Sequence, residues 1–407
     1  MSVDLIPCFD QALDGVCQRL RGSITDLLIE SHAPVDSPTE LSKHLKLSKT
    51  LAWRACKIVS AEPARAVLEF LPAEGSVEVL LNACRRLGAT EATLREARAA
   101  LESLSRLVET HAGDRSTFDL MLSSMGGRDS GALLESRRQA YLGNSAVWGI
   151  QGQTRFACYT AAPSRGKNDG TVDTSVLGGL IGVRRLRPNV GLPLFMPHAY
   201  AGDGTGKRSA ISEPIDVPGA GPLDLPLMRE FCTLGAEELS VRPMENGAVR
   251  YDLVPGPIGN TSLNSWVFGY CDREFANIYA TATDRVAEHG TWNFVPVEHL
   301  ICDLLLHKSL QIGGPLTAGL FGQIGMSRGP YTGRQMGLPL IEEVVSLGQY
   351  PPAMSTPVIP RYSEMVRATL AKLGYPLDEF IGYRFAVKFP PIPTIALLSF
   401  PLANRPA

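Results

Sequence analysis

Glu298-His299-Leu300-Ile301-Cys302-Asp303-Leu304-Leu305-Leu306-His307 is the densest run of chemistry-bearing residues in the chain. Imidazole, carboxylate and thiol groups can relay protons or ligate a transition metal. His299, Asp303 and His307 recur every four residues, which predicts a row along one helix face with Cys302 beside it. Two helical turns separate the histidines by about 12 Å, too far for one ion. The row is therefore read as the polar stripe of a helix with a buried leucine-rich face, and no catalytic residue, metal or cofactor is assigned.

Other groups invite chemistry and fall short of a motif. Gly202-Asp203-Gly204-Thr205-Gly206-Lys207-Arg208 has the composition of a phosphate loop, but Ala201 stands where that pattern requires Gly, and Arg208 where it requires Ser or Thr. An exposed basic loop is expected instead. Arg184, Arg185 and Arg187 follow the apolar run Leu177 to Val183 and suit an acidic ligand, an acidic surface of another subunit, or an exposed strand end. Val254 to Thr261 interleaves Pro and Gly and predicts a tightly specified turn.

The strongest local signal is cationic. Leu41 to Ser60 carries Lys43, Lys46, Lys49, Arg54 and Lys57 without an Asp or Glu, whereas the preceding forty residues hold seven acids and two bases. Ser37-Pro38-Thr39-Glu40 opens this stretch as a capping box: Ser as N-cap, Pro at the first helical position, Glu at N3. A short helix through Leu45, a turn at Lys46-Leu47, and a second helix capped by Ser48 and running through Val59 follow. Leu51, Ala52, Ala55, Ile58 and Val59 form the inward face of that second helix.

Ser37, Glu40, Leu41, Leu45, Leu47, Ser48 and Arg54 match the pattern of the helix-turn-helix of bacterial transcription regulators, which this segment of about 25 residues resembles. Lys46 replaces the usual turn Gly. The resemblance implies that Lys49, Thr50 and Arg54 lie near bases or flanking phosphates, that Lys46 and Lys57 contact mainly phosphates, and that the protein acts as a dimer or larger homo-oligomer on double-stranded DNA. No β-hairpin wing is visible after the second helix.

These groups need elements to position them. Residues 1 to 125 contain few Gly and Pro and predict successive amphipathic helices: Leu5 to Leu28, Ser76 to Leu87, Thr90 to Thr110, and Arg115 to Leu122 with Asp114 as N-cap. Residues 126 to 140, beginning in Ser123-Ser-Met-Gly-Gly-Arg-Asp-Ser130, predict a hinge or linker. Residues 141 to 407 then mix strand-like segments (Trp148 to Tyr159, Tyr383 to Phe389, Thr394 to Phe400) with helical periodicity at 273 to 289, 297 to 310, 338 to 347 and 361 to 373. The expected class is α+β, a helical N-terminal domain containing the helix-turn-helix at residues 37 to 60, followed by a larger mixed α/β domain.

Composition bounds the function. A 407-residue chain with 44% hydrophobic residues has material for two or three domains, and a net charge of −2 gives the whole chain no attraction for a polyanion, so any nucleic-acid contact must be local. The eight cysteines are scattered without a C-x-x-C pair, which predicts reduced thiols in a cytoplasmic protein. Asp4 near the start and the lack of a long apolar run argue against a secretory signal or a membrane span. The leading expectation is a DNA-binding transcription regulator whose 141–407 domain senses a small-molecule effector or mediates assembly. The alternatives are a self-assembling structural protein and an enzyme with its site within 141–400. A concave pocket with convergent polar groups would favour regulator or enzyme, and a flat apolar patch would favour assembly.

Overall fold

The computed structural model describes residues 9–124, 130–166, 170–191, 193–195, 212–216, 226–233, 239–243, 249–282, 284–322 and 336–405. Its contacts divide the chain into two units, Met1–Asp129 and Ser130–Ala407, and the class is α+β.

The first unit is helical: α1 Phe9–Glu30, α2 Pro38–Leu45, α3 Lys49–Val59, α4 Val67–Phe70, α5 Glu74–Arg86, α6 Glu91–His111 and α7 Arg115–Ser124. The three-and-four spacing of Leu13, Leu20, Ile24, Leu27 and Leu28 on α1 meets Leu94, Ala97, Leu104 and Leu107 on α6, and these fully buried side chains form the unit's core. The ends are stapled by polar contacts. Arg19 pairs with Glu96 at 2.7 Å, and the Glu30 carboxylate accepts the Thr90 N–H at 2.9 Å and the Thr93 hydroxyl at 2.6 Å.

Between α2 and α3 the chain turns through Lys46, at φ 55° and ψ 45°, the left-handed conformation that ends many helices. The Leu47 N–H reaches back to the Ser42 carbonyl at 3.0 Å, and the Ser42 hydroxyl donates to the Leu47 carbonyl at 2.7 Å. A side chain in this region costs about 1 kcal/mol that Gly does not. Lys46→Gly should therefore raise the unfolding free energy by about 0.5 kcal/mol at most, once glycine's extra unfolded-state entropy is subtracted. An unchanged or lower urea midpoint would show that the turn is not strained.

The second unit begins with α8, Ser130–Trp148, so residues 130 to 140 are helix rather than the expected linker. Arg137 on α8 is buried against Glu342 at 2.7 Å, which anchors the helix and explains why this stretch is not a hinge. The strands are β1 Ile150–Pro163, β2 Thr171–Arg185, β3 Pro193–Phe195, β4 Ser212–Pro214, β5 Leu239–Pro243, β6 Val249–Leu253, β7 Asn264–Asn277, β8 Val286–Asn293, β9 Val297–His307, β10 Thr317–Gly322, β11 Val345–Gln349, then helix α9 Tyr362–Leu373, β12 Phe380–Lys388 and β13 Thr394–Pro401.

Seven strands form the main sheet in the order β11-β12-β9-β1-β2-β7-β4, with β1 and β9 parallel and the other neighbours antiparallel. One face packs on α9 through Phe156, Ile301, Leu305, Met365 and Val366. On the other face, a β10-β13-β8 sheet covers Leu300, Leu304 and Phe385, and a β3-β6-β5 sheet covers Leu180, Trp266 and Phe268.

Three segments expected as helices are not. Residues 273–289 straddle the end of β7 and the start of β8, 297–310 is essentially β9, and 338–347 is extended chain leading into β11; only 361–373 is helical, as α9. A spacing of four is a multiple of both the strand and, nearly, the helix period, so the polar row could not choose between them. In β9 both faces are buried: Ile301, Asp303 and Leu305 point toward α9, and Leu300, Cys302, Leu304 and Leu306 point toward β13. Such a central strand has no polar alternation to read.

Candidate functional site

In the first unit the exposed and buried residues of α3 fall on opposite arcs. At 100° per residue, Lys49, Trp53, Lys57, Thr50 and Arg54 lie within about 140° of one another, and Ile58, Leu51, Ala55, Val59, Ala52 and Cys56 take up the remainder. Lys49, Thr50, Trp53 and Lys57 are exposed, Arg54 is half-buried, and the opposite arc is buried apart from a half-buried Val59. Lys46 is exposed at the turn beside them. Ser48 caps α3 by accepting the Leu51 N–H at 3.2 Å, and the dipole of this eleven-residue helix places partial positive charge at the same end as Lys46 and Lys49.

Outside this arc most arginines of the unit are ion-paired, with Arg86, Arg95 and Arg106 the exceptions among the described residues. Arg19, Arg21, Arg65, Arg85, Arg98 and Arg115 each meet a carboxylate, Glu96, Glu62, Asp10 and Asp14, Glu91, Glu78 and Asp119 respectively. Lys43, Lys46, Lys49, Arg54 and Lys57 have no ion-pair partner among the described residues. Trp53, not singled out by the sequence, sits in the middle of the arc at 43% exposure and rests edge-on against Phe70 of α4, ring centroids 5.6 Å apart. Its signal was available as an aromatic residue on the polar face of a short capped helix.

In the second unit the His299, Asp303, Cys302, His307 row is dispersed. Eight strand residues span about 26 Å, so the two histidines are further apart than a helix would place them. Asp303 is fully buried and takes Arg384 in a two-pronged pair, Nε–Oδ1 2.9 Å and Nη2–Oδ2 2.8 Å, with the Tyr362 hydroxyl donating to Oδ2 at 2.9 Å. Burial pushes the Asp303 carboxyl up, and Arg384 and Tyr362 oppose that push. This cluster ties β9, β12 and α9 together. Cys302 faces the opposite layer, where burial raises its thiol to about 12. No three or more His, Cys, Asp or Glu side chains of the described residues converge as a metal site.

His307 has the neighbours of a charge relay without its bonding. Its Nδ1 stands 2.8 Å from the Ser309 hydroxyl, but it also takes the Ser309 N–H at 3.2 Å, which makes the contact part of the turn after β9. Nε2 is 3.5 Å from Glu379, outside hydrogen-bonding geometry, and that carboxylate is held by Lys308 at 3.0 Å. A nucleophile–base pair needs its base oriented by a third group, and that bond is missing.

The three arginines do not act as one group. Arg184 binds the Gln151 side chain, and Arg185 is buried, donating to the Val254 carbonyl at 2.7 Å and packing on Gly256, where a Cβ would come within 3.0 Å of its guanidinium. Arg187 lies against Gly149. The Gly202 to Arg208 loop lies outside the described residues.

A pocket missed from the sequence opens between the main sheet and β8, with a volume of about 110 Å³. Its walls include Val172, Val286, Leu306, Ile312 and Phe400, and its polar lining includes Thr174, Asp284 and His289. β8 is held to β1 just beyond His289, where Tyr159 donates to the Gly290 carbonyl and Arg155 Nε donates to the Trp292 carbonyl at 3.1 Å. The His289 ring lies 5.2 Å from Tyr159 and 6.0 Å from Phe400, its Nε2 is buried without a hydrogen-bond partner, and burial lowers its pKa to about 4, so the imidazole is neutral at physiological pH. No local pattern could have revealed this pocket, because β1, β2, β7, β8, β9 and β13 all contribute to it. No protein-family model matches the chain, and no curated protein matches it.

Proposed function

We propose that this protein is a cytoplasmic, homo-oligomeric DNA-binding transcription regulator with a helix-turn-helix in α2 and α3 and an effector-sensing second unit. The observation that carries the reading is the exposed arc of α3. Lys46, Lys49, Arg54 and Lys57 converge there with Thr50, unpaired, in a unit whose other arginines are largely matched to carboxylates. Cations held at a helix N-terminus and along one face suit a phosphate backbone, and Thr50 and Arg54 are positioned to reach base edges once the lysines have docked. One short helix reads few bases, so two copies acting on paired half-sites is the expected arrangement.

The pocket in the second unit supports effector sensing over simple assembly, because it is concave and carries polar groups within apolar walls. No helix of the described residues is long and apolar enough to cross a membrane. The test is binding to random-sequence and genomic duplexes, followed by fluorescence anisotropy at about 50 and about 200 mM salt. Wild type should bind and lose affinity steeply between the two, and Arg54→Ala should flatten the preference among genomic fragments. Absence of binding at the lower salt would overturn the reading.

A further inference from the structure

The exposed arc of α3 holds one side chain that a phosphate backbone has no use for. Trp53 is the only aromatic residue among the exposed large apolar side chains of the first unit's described residues, the others being Ile29, Val79, Leu87 and Leu120. A lone apolar side chain on a surface is ordinary, but this one stands among cations. On a helix turning 100° per residue, Trp53 lies about 40° from both Lys49 and Lys57, which sit about 6 Å to either side of it along the axis, and about 60° from Thr50. The ring is braced from behind, edge-on against Phe70 of α4 with centroids 5.6 Å apart, so the indole is restrained in place at the middle of the arc.

Cations around a ring fit a partner that is anionic at its rims and apolar at its centre. With Lys46, Lys49 and Lys57 on phosphates, the middle of α3 faces base edges in the major groove. Those edges present hydrogen-bonding nitrogen and oxygen atoms and a single apolar group, the 5-methyl of thymine. An indole pressed onto the polar atoms alone strips water from acceptors without replacing their bonds, whereas against a methyl it buries apolar surface on both sides. We propose that Trp53 is a specificity-determining residue of this interface and that it selects duplexes presenting a 5-methylpyrimidine at the groove centre. The inference rests on the DNA-binding reading and supplies the base chemistry which that reading leaves open.

The experiment is fluorescence anisotropy of the full chain at about 50 mM salt with labelled duplexes of alternating dA-dT, dA-dU, dG-dC and dG-5-methyl-dC. The first two carry the same charge and the same hydrogen-bonding edges and differ only in the methyl, which the alternating repeat offers in every register. Wild type should bind dA-dT about fourfold tighter than dA-dU for each methyl it covers, and methylation of cytosine should tighten binding to dG-dC by a similar factor. Trp53→Ala should bind dA-dT and dA-dU alike with its salt dependence unchanged, because the indole carries no charge. Trp53→Gln keeps a longer side chain against Phe70 and gives the same readout where the alanine variant's thermal midpoint falls. Wild-type binding that ignores the methyl on both base types, or a methyl preference that survives in both variants, would overturn the proposal and leave the DNA-binding reading standing. Absence of binding to all four duplexes would overturn both.

Discussion

Asp303→Asn should lower the unfolding free energy of the second unit by about 3–5 kcal/mol, the cost of leaving a buried charge without its partner. The carboxylate is completely buried and the Arg384 side chain is 14% exposed, so water cannot replace the lost charge. The amide can accept from only one guanidinium prong, and it points an N–H group at Arg384 or at the Tyr362 hydroxyl. Chemical denaturation read by tryptophan fluorescence in a Trp53→Phe background isolates the effect, because Trp148, Trp266 and Trp292 all lie in this unit. The double variant Asp303→Leu/Arg384→Met provides the complementary measurement. Replacing both charges with apolar groups should recover most of the loss, since the ion pair itself contributes little beyond its own desolvation. If the single substitution costs under about 1 kcal/mol, water reaches the pair and the cluster is not the joint between β9, β12 and α9.

What the residues revealed, and what they hid, follows from how local each feature is. The α2–α3 pair was readable because its determinants lie within 25 residues: Ser37 accepts the Glu40 N–H, Ser48 accepts the Leu51 N–H, and the leucines between are buried as their spacing requires. Asp114 likewise caps α7 through the Thr117 N–H at 2.8 Å, and Thr90 caps α6. Helices close their hydrogen bonds four residues away, so caps and periodicity largely specify them.

The second unit depends on partners distant in sequence. Whether Val297 to His307 becomes helix or strand is decided by β1 and β12, 145 and 83 residues away at the paired positions Gly152↔Val297 and Phe385↔Cys302. No window centred on His299 contains either. The linker expectation failed for a related reason. Ser and Gly at 123 to 131 suit a hinge, but Arg137 is fixed by Glu342, a contact across 205 residues. The two closing strands were readable because each is a short apolar run and Pro390-Pro391-Ile392-Pro393 separates them.

Replacing Lys46, Lys49 and Lys57 together with Ala should weaken DNA binding on the order of a hundredfold at physiological salt and reduce the slope of log affinity against log salt by about 2.7, nearly one unit per phosphate released. Each of the three is exposed and unpaired, so its charge is available to phosphate and its removal exposes no buried partner. Folding should be unaffected, which thermal denaturation will check. The contrast is the triple variant Arg65→Ala, Arg85→Ala, Arg98→Ala. It removes the same formal charge from the same unit, but these guanidiniums are matched to Asp10 and Asp14, Glu91 and Glu78, so the slope should change by well under one unit. Equal effects of the two triples would mean that net charge alone drives binding and that α3 has no special place in it. Lys46→Gly separates the remaining possibility, because it should stabilise the turn while removing one phosphate contact. A variant that is more stable and yet shallower in salt dependence by about one unit cannot owe its weaker binding to a damaged fold.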